Sequence, residues 1–451
     1  MSTPQTYRHH SRTLLTLGLP LIGSHLAQMA IGITDNVMLG WYSVEALAAV
    51  TLAFSVSFVL FIVGSGFAFA VLPMVAAAMA EEDETQVRRV TRMGMWISAL
   101  YGVAIMPLLI WSEPILLALG QKPVIADLAA QYLAIFALGM VPSLLVMVLK
   151  NYLAALERTQ VILWSTVAAA VLNGLLNYAL IFGNWGAPEL GLQGAAIASV
   201  TMQVATLLVV AIYCAWVTPE HALFQRFWRL DSGGFTRVFK LGWPIGLTNL
   251  AESGLFSASA VMMGWLGALP LAAHGIALQL ASITFVVHLG LSQAATVRVG
   301  RAMGRRDGVG LRAGALVATG MSVVFALVTV VIYLTIPETL MGLFLDPNDP
   351  DRPAIIGFGV VLLAVAALFQ LVDGAQVIAL GLLRGLQDTK VPMIHAALSY
   401  WGVGMPTSYF MGFVLGWKGP GIWLGLVVGL SCASALLIHR FWTKGVARLP
   451  V

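Results

Sequence analysis

Charge is scarce in this sequence: Asp, Glu, Lys and Arg together make up 10% of its 451 residues, where a soluble domain carries about 25%. So few ionised groups cannot cover a water-facing surface, and a soluble globular class is excluded. Cysteine is scarcer still. Cys214 and Cys432 stand far apart in apolar stretches, which excludes a disulfide framework and leaves two packing thiols. His25, His274, His288 and His395 are isolated, and neither His-Glu-x-x-His nor Cys-x-x-Cys occurs; a zinc site is rejected. No Walker-type phosphate loop is present, so ATP does not drive this chain, and no resident cofactor is expected. The net charge is only +4, with no basic cluster interleaved with aromatics. Nucleic acid is therefore not a partner.

What the chain has is apolar length. Hydrophobic residues reach 59% and the mean hydropathy is +0.89. A membrane span needs about 20 mostly apolar residues. Twelve segments meet that: 14–39, 47–79, 93–112, 127–149, 161–183, 192–216, 237–265, 271–297, 313–336, 354–383, 391–415 and 420–442. The first is too long for the apolar core of a cleavable signal, about 7–15 residues, and it contains Pro20 and Asp35. It reads as the first membrane helix. The second, eighth and tenth segments are long enough to tilt or project beyond a bilayer.

The loops between these segments carry a one-sided charge. Of the 24 Lys and Arg, only Lys122, Arg352 and Lys418 fall on one face, leaving 24 − 3 = 21 on the other. The positive-inside rule places both termini in the cytoplasm. A miscounted span would have scrambled this split, so the bias also supports twelve.

The sequence also repeats. Shifted by 224, residues 18–49 meet 242–273 with eleven identities in 32 positions, Gly18, Pro20, Gly40 and Trp41 among them. Leu153 and Leu156-x-x-Thr159 echo Leu383 and Leu386-x-x-Thr389, and Gly191-x-x-Gly194 echoes Gly416-x-x-Gly419. Each half has an even number of spans, so the two share one orientation. The expected fold is an all-α polytopic membrane protein. Its twelve transmembrane helices form two homologous six-helix bundles, related by a pseudo-two-fold axis along the membrane normal. The expected division is an N-terminal lobe over 1–216, a cytoplasmic linker over 217–236 and a C-terminal lobe over 237–451. The linker, with Arg226, Arg229, Asp231 and Gly233-Gly234, reads as polar and partly amphipathic. Two parallel halves suit alternating access, with substrate near the midplane between repeats.

Three carboxylates lie inside apolar spans: Asp35, Glu252 and Asp373. A charge at the bilayer centre costs about 2.5–3.5 kcal/mol even on lenient insertion scales. Interhelical hydrogen bonds average only about 0.6 kcal/mol in return. The acids therefore point to a proton or cation pathway. Helical spacing gathers polar companions around each. Gln28 and Gly32 share a face with Asp35, and Asn173, Asn177 and Thr166 form a stripe in the fifth span. Thr248, Asn249 and Ser259 share a face with Glu252, and Gln370 and Gln376 flank Asp373. Two polar pockets are expected, one in each half. The acids are not duplicated, because Gln28 is the counterpart of Glu252, Ser259 that of Asp35 and Ser143 that of Asp373. That asymmetry favours a specialised role over symmetric packing. No Lys or Arg is expected within the membrane to neutralise them, so they must take a proton, a metal cation or a cationic substrate. Pro20 and Pro244 occupy equivalent positions in the first and seventh spans, where each removes a backbone hydrogen bond and should kink its helix. Nineteen methionines and twenty phenylalanines supply adaptable lining wherever they face a cavity.

Gly18-Leu19-Pro20, Gln28, Asp35 and Met38-Leu39-Gly40 resemble the first helix of the MATE (multidrug and toxic compound extrusion) transporters. Asn173-x-x-x-Asn177, Glu252 in the Gly242-Trp243-Pro244 helix, and Asp373-Gly374 followed by Gly381-x-x-Arg384-Gly385-x-x-Asp388 resemble the same family. The match covers essentially the whole chain, and the pair Glu252 and Asp373 looks most like the NorM-type branch. The resemblance implies antiport in a bacterial inner membrane, with H+ or Na+ moving inward and small organic cations outward. It implies that Glu252 and Asp373 belong to a cation site, with Na+ as one occupant, and that Asp35 with Asn173 couples a proton or cation in the N-terminal half. One departure stands out. The NorM type commonly has a Tyr one turn before the tenth-helix Asp, and here that residue is Phe369, which has no hydroxyl. A monomer, in contact with membrane lipids, suffices for an enclosed cavity. The alternative is a lipid-linked oligosaccharide flippase of the same superfamily, which needs basic groups for a diphosphate. A membrane-embedded enzyme needs a nucleophile, a His pair or a metal site that the spans do not supply.

Overall fold

The computed structural model describes residues 7–448. The chain ends, residues 1–6 and 449–451, which the charge bias assigns to the cytoplasm, lie outside the described residues. The described residues are helical almost throughout and contain no strand. In chain order they form α1 (Tyr7–Tyr42), α2 (Val44–Ala80), α3 (Glu84–Ile110), the short α4 (Ser112–Ala118), α5 (Pro123–Ala155), α6 (Thr159–Phe182) and α7 (Gly191–Val217). The second half has α8 (Ser232–Leu266), α9 (Ala268–Gly304), α10 (Gly308–Thr335), the short α11 (Pro337–Gly342), α12 (Arg352–Gly385), α13 (Lys390–Ala397), α14 (Met405–Tyr409) and α15 (Lys418–Arg440). Two π-helical stretches, Leu398–Gly404 and Phe410–Val414, join and extend α13 and α14.

Ten helices among the described residues are long and apolar enough to cross a membrane. The remaining two of the twelve segments are α8 and the stretch 390–414. In α8, Thr248, Asn249, Glu252, Ser253, Ser257 and Ser259 dilute the apolar run. In 390–414 the helix is widened by π turns. The second, eighth and tenth spans are long, as expected, with 37 residues in α2 and in α9 and 34 in α12, but α1 with 36 and α8 with 35 are equally long.

Local sequence accounts for the helix ends. Ser43 caps α2 by accepting from the Ala46 N–H at 2.9 Å, and Asp83 and Asp307 cap α3 and α10 in the same way. Such caps contribute about 1 kcal/mol each. The repeat extends to backbone strain. Glu82 and Arg306, 306 − 82 = 224 positions apart, both adopt left-handed φ, 57° and 56°. Glu157 and Gln387 do the same between α5–α6 and α12–α13, at 62° and 56°. At each of these turns the hydrogen bonds that close the helix are also repeated. Gly191 and Gly416, the paired glycines that open α7 and precede α15, have φ of 52° and 71°, where glycine carries no Cβ penalty.

By its contacts the chain forms two compact units: Gly23–Gly246, and the stretch up to Ile22 joined to Leu247 onward. Both α1 and α8 therefore begin in one unit and end in the other. Pro20 and Pro244 are buried, lie inside unbroken helices and stand two residues before the crossing point. Within Gly23–Gly246, Gly66 of α2 lies backbone to backbone against Gly242 and Gly246 of α8. Within the other unit, Gly290 of α9 meets Ile22 of α1, and a Cβ on Gly290 would stand 3.0 Å from the Ile22 nitrogen. Because 290 − 66 = 224, the two crossings use the same repeat position. Close helix approach through small residues is the usual means of packing in a membrane, where lipid removes the hydrophobic drive.

The core of Gly23–Gly246 centres on Leu39, Leu109, Leu133, Met140 and Leu144. In the other unit Trp423 is wholly buried, donates to His274 Nδ1 at 3.0 Å and packs edge-on against Phe369. Cys214 is buried and Cys432 half-buried, and both are free thiols.

The stretch after α7 is fastened to α3. Arg92 donates to the carbonyls of Leu223 at 2.7 Å, Ala222 at 2.6 Å and Gln225. Trp96 donates to Phe227 O at 2.8 Å and stacks on its ring. Arg89 pairs with Asp231 at 2.7 Å, and this hydrogen bond holds the Asp231 carboxyl below the usual carboxylate range. His221, bonded to Tyr152, is kept below the ordinary imidazole range by burial. Phe224, Trp228 and Leu230 face outward beside Arg226 and Arg229, which makes the segment amphipathic.

Candidate functional site

Two polar clusters stand among the spanning helices, one in each compact unit. In Gly23–Gly246, Thr166, Asn173 and Asn177 are all buried along one face of α6, as their spacing of seven and four residues requires. The amides of Asn173 and Asn177 both donate to Asp35 Oδ1, at 2.6 and 2.5 Å. Their own carbonyl oxygens are buried without a partner. Tyr132 of α5, bonded to Ser199, stands in electrostatic range of Asp35. Asp35 itself is half-buried, whereas Gln28 is exposed and is not among the groups that bond the acid. Thr166 faces a different set: Lys150 Nζ donates to it at 2.7 Å and Ser24 lies 2.9 Å away.

In the other unit, Glu252 of α8 accepts from Gln376 Nε2 of α12 at 2.9 Å. One turn earlier on α8, Asn249 Oδ1 accepts from Arg384 at 2.9 Å. Asp373 and Gln370 are fully buried beside Gln376 on α12. Asp373 Oδ1, Gln370 Oε1 and Gln376 Oε1 have no hydrogen-bond partner. Asp373 lies within electrostatic range of Glu252, and Arg384 within range of Glu252. Ser259 turns back to the Phe256 carbonyl of its own helix. Phe369 is packed between Phe256 and Trp423.

The structure thus brings Asp35 together with Asn173 and Asn177, and Glu252 with Asp373, Gln370 and Gln376. It corrects one expectation from the sequence. Basic groups do reach the interior: Arg384 and Lys150 are half-buried among the helices. By position in the chain both belong with the loop charges, because they stand near helix ends. Their long stems carry the head groups back along the helix, so position in the chain misplaces the charge. Tyr400, from the π-helical stretch, was also missed. A lone tyrosine in an apolar run carries no spacing signal, and only the fold places it near the acids. Among the described residues no cluster of three or more His, Cys, Asp or Glu suits a metal ion.

Twelve helical segments, an internal repeat and carboxylates held between helices by amides are the architecture of a polytopic membrane transporter. The MatE family model matches residues 20–179 and 244–410, and the chain belongs to that family. It is 48% identical over 438 residues to a protein of Rhizobium meliloti called probable multidrug resistance protein NorM, with 96% of this chain and 93% of the relative covered. A protein of the same name from Agrobacterium fabrum is 44% identical over 434 residues, with the same shares covered. In fold, the chain is similar to a eukaryotic MATE transporter at a TM-score of 0.86 and 19% identity, with 98% of each chain covered. An outward-facing multidrug resistance MATE family transporter of the MOP superfamily gives the same TM-score at 19% identity, with 97% of this chain and 96% of that chain covered.

Proposed function

We propose that this protein is a multidrug efflux transporter, not an enzyme, that exchanges inward-moving H+ or Na+ for outward-moving organic cations by alternating access. The observation that carries this reading is the presence of acids held by side-chain amides inside each half of a repeated twelve-helix chain. Family membership and the names of the bacterial relatives support the efflux. The acidic character of both clusters supports a cationic cargo, and Arg384, already engaged by Asn249, does not make a diphosphate site. Nothing observed favours the flippase.

Asp35 with Asn173 and Asn177 serves coupling in one half, and Glu252 with Asp373 in the other. Hard cations take oxygen ligands. The buried partnerless oxygens of Asp373, Gln370 and Gln376 are such ligands, so the donor set fits Na+ as well as a proton. The protein acts as a monomer in a bacterial inner membrane with both termini cytoplasmic. The repeat halves, 1–216 and 237–451 bridged by 217–236, are the lobes that exchange access, with Pro20 and Pro244 as the bends.

The test is efflux of a fluorescent organic cation from proteoliposomes, driven by a sodium gradient or by a pH gradient at clamped voltage. Acceleration by either gradient is expected and identifies the coupling ion. No response to either sinks the antiport reading.

A further inference from the structure

The π-helical stretch Leu398–Gly404 is the largest departure from regular helix among the spanning segments. A wide turn of this kind lengthens the hydrogen-bond loop by one residue, re-aims the side chains that follow and recurs at functional sites. Here it is fixed against α8 on both sides of Glu252. Trp401 Nε1 donates to Ala251 O at 3.1 Å, and a Cβ on Gly254 would lie 2.9 Å from the Trp401 ring. Behind the turn, Gly404 packs on Gly425 and Gly429 of α15. The residue before Trp401 is Tyr400.

Tyr400 has no exposed surface, and its hydroxyl has no hydrogen-bond partner. A buried hydroxyl without a partner is rare and calls for a reason. The charged groups in range of this phenol are Glu252 from α8 and Asp373 and Arg384 from α12. From the neighbouring helices, Tyr333 of α10 is in range of Asp373, and the His288 ring of α9 lies against Gly374. Phe369, one turn before Asp373, packs edge-on against Trp423. Of these residues, Tyr400 alone is a wholly buried hydroxyl in range of both acids.

We infer that the Tyr400 hydroxyl is a positioning group of the Glu252–Asp373 pair, donating to the carboxylate that ionises when the pair releases its proton to water and takes up a cation in its place. This rests on the coupling role proposed for that pair. The π turn then has a physical purpose. It turns the phenol inward at a level where a regular helix would aim it elsewhere, and Trp401 locks the register to α8. A carboxylate that loses a donor holds its proton more tightly.

The test is binding of a fluorescent phenanthridinium cation to the purified full-length protein, in sodium-free buffer, as a function of pH. Tyr400→Phe removes one oxygen and no packing, so its melting temperature should equal or exceed that of the wild type. Its binding midpoint should move about one unit towards higher pH, as the loss of one charge-assisted hydrogen bond demands. The Glu252→Gln/Asp373→Asn double variant sets the reference. If the double variant alters the profile and Tyr400→Phe does not, Tyr400 has no such role and the acid pair stands. If the double variant keeps the wild-type profile, the acid pair is not the titrating site and the role of Tyr400 falls with it. A lowered melting temperature with an unmoved midpoint makes Tyr400 a packing residue.

Discussion

Asp35 and Asp373 are both aspartates inside apolar helices, yet their surroundings differ. Asp35 stands alone, half-buried, with one oxygen held by two amide donors from a single neighbouring helix. Asp373 is fully buried, has an oxygen with no partner and shares its space with a second acid, Glu252, which takes the one amide bond available from Gln376. Each has a tyrosine near it, but Tyr132 is bonded to Ser199 whereas Tyr400 has no partner. A lone acid titrates as one group; two acids in range of each other titrate as a pair. In the proposed mechanism the lone acid exchanges a single proton, while the pair and its amides offer several oxygens to one cation.

The most damaging change should be Asp35→Asn, which removes the only carboxylate of its cluster. Gradient-driven efflux should fall by about a hundredfold or more, while the protein still inserts and folds, since Asn replaces the acid nearly isosterically. Glu252→Gln and Asp373→Asn should each weaken coupling by only about tenfold, because a partner acid remains, and together they should match Asp35→Asn. Single variants as severe as the double would collapse the distinction between the lone acid and the pair. If any of these proteins fails to fold, that acid is structural.

Next in size is a comparison of the two crossings. Gly66→Ala drives a methyl into the backbone of Gly246, while Gly290→Ala meets chiefly the side chain of Ile22, 2.5 Å from its Cγ1. Overpacking of this kind costs about 1–3 kcal/mol, and the backbone clash should lie at the upper end. Melting temperatures in detergent should fall further for Gly66→Ala. Equal losses would mean that the two crossings yield alike and the symmetry is mechanical as well as geometric.

The smallest effect should come from the surface. Asp231 is held below its usual range first by the hydrogen bond from Arg89. Its contribution is present above the unfolded carboxylate value of about 3.9 and is lost as pH falls through the lowered folded value. An exposed pair contributes under about 1 kcal/mol. Limited proteolysis of 222–231 should therefore rise gently as the pH drops below about 4, with the membrane helices still protected. Protection of the segment that is independent of pH would assign its fastening wholly to Arg92 and Trp96.

Much of this was legible beforehand, for identifiable reasons. Lipid forces long apolar runs and one-sided loop charge, and both act residue by residue along the chain. The twelve spans and the three acids within them follow from that alone, and the repeat follows from residue identities at a shift of 224. Helical periodicity likewise put Thr166, Asn173 and Asn177 on one face. It did not say that Thr166 would part from its neighbours to meet Lys150 and Ser24, because the third dimension decides which helix lies opposite each turn.

By itself, then, the sequence determined the twelve spans, their twofold repetition and the identity of the acids within them, since each of these is set by local hydropathy or by residue identity between the halves. The tertiary structure alone decided which acids stand together, that α1 and α8 pass between the compact units two residues after Pro20 and Pro244, and that Arg384 and Tyr400 come within range of Glu252. Those depend on contacts between residues more than a hundred positions apart, made by side chains whose reach no spacing along one helix encodes.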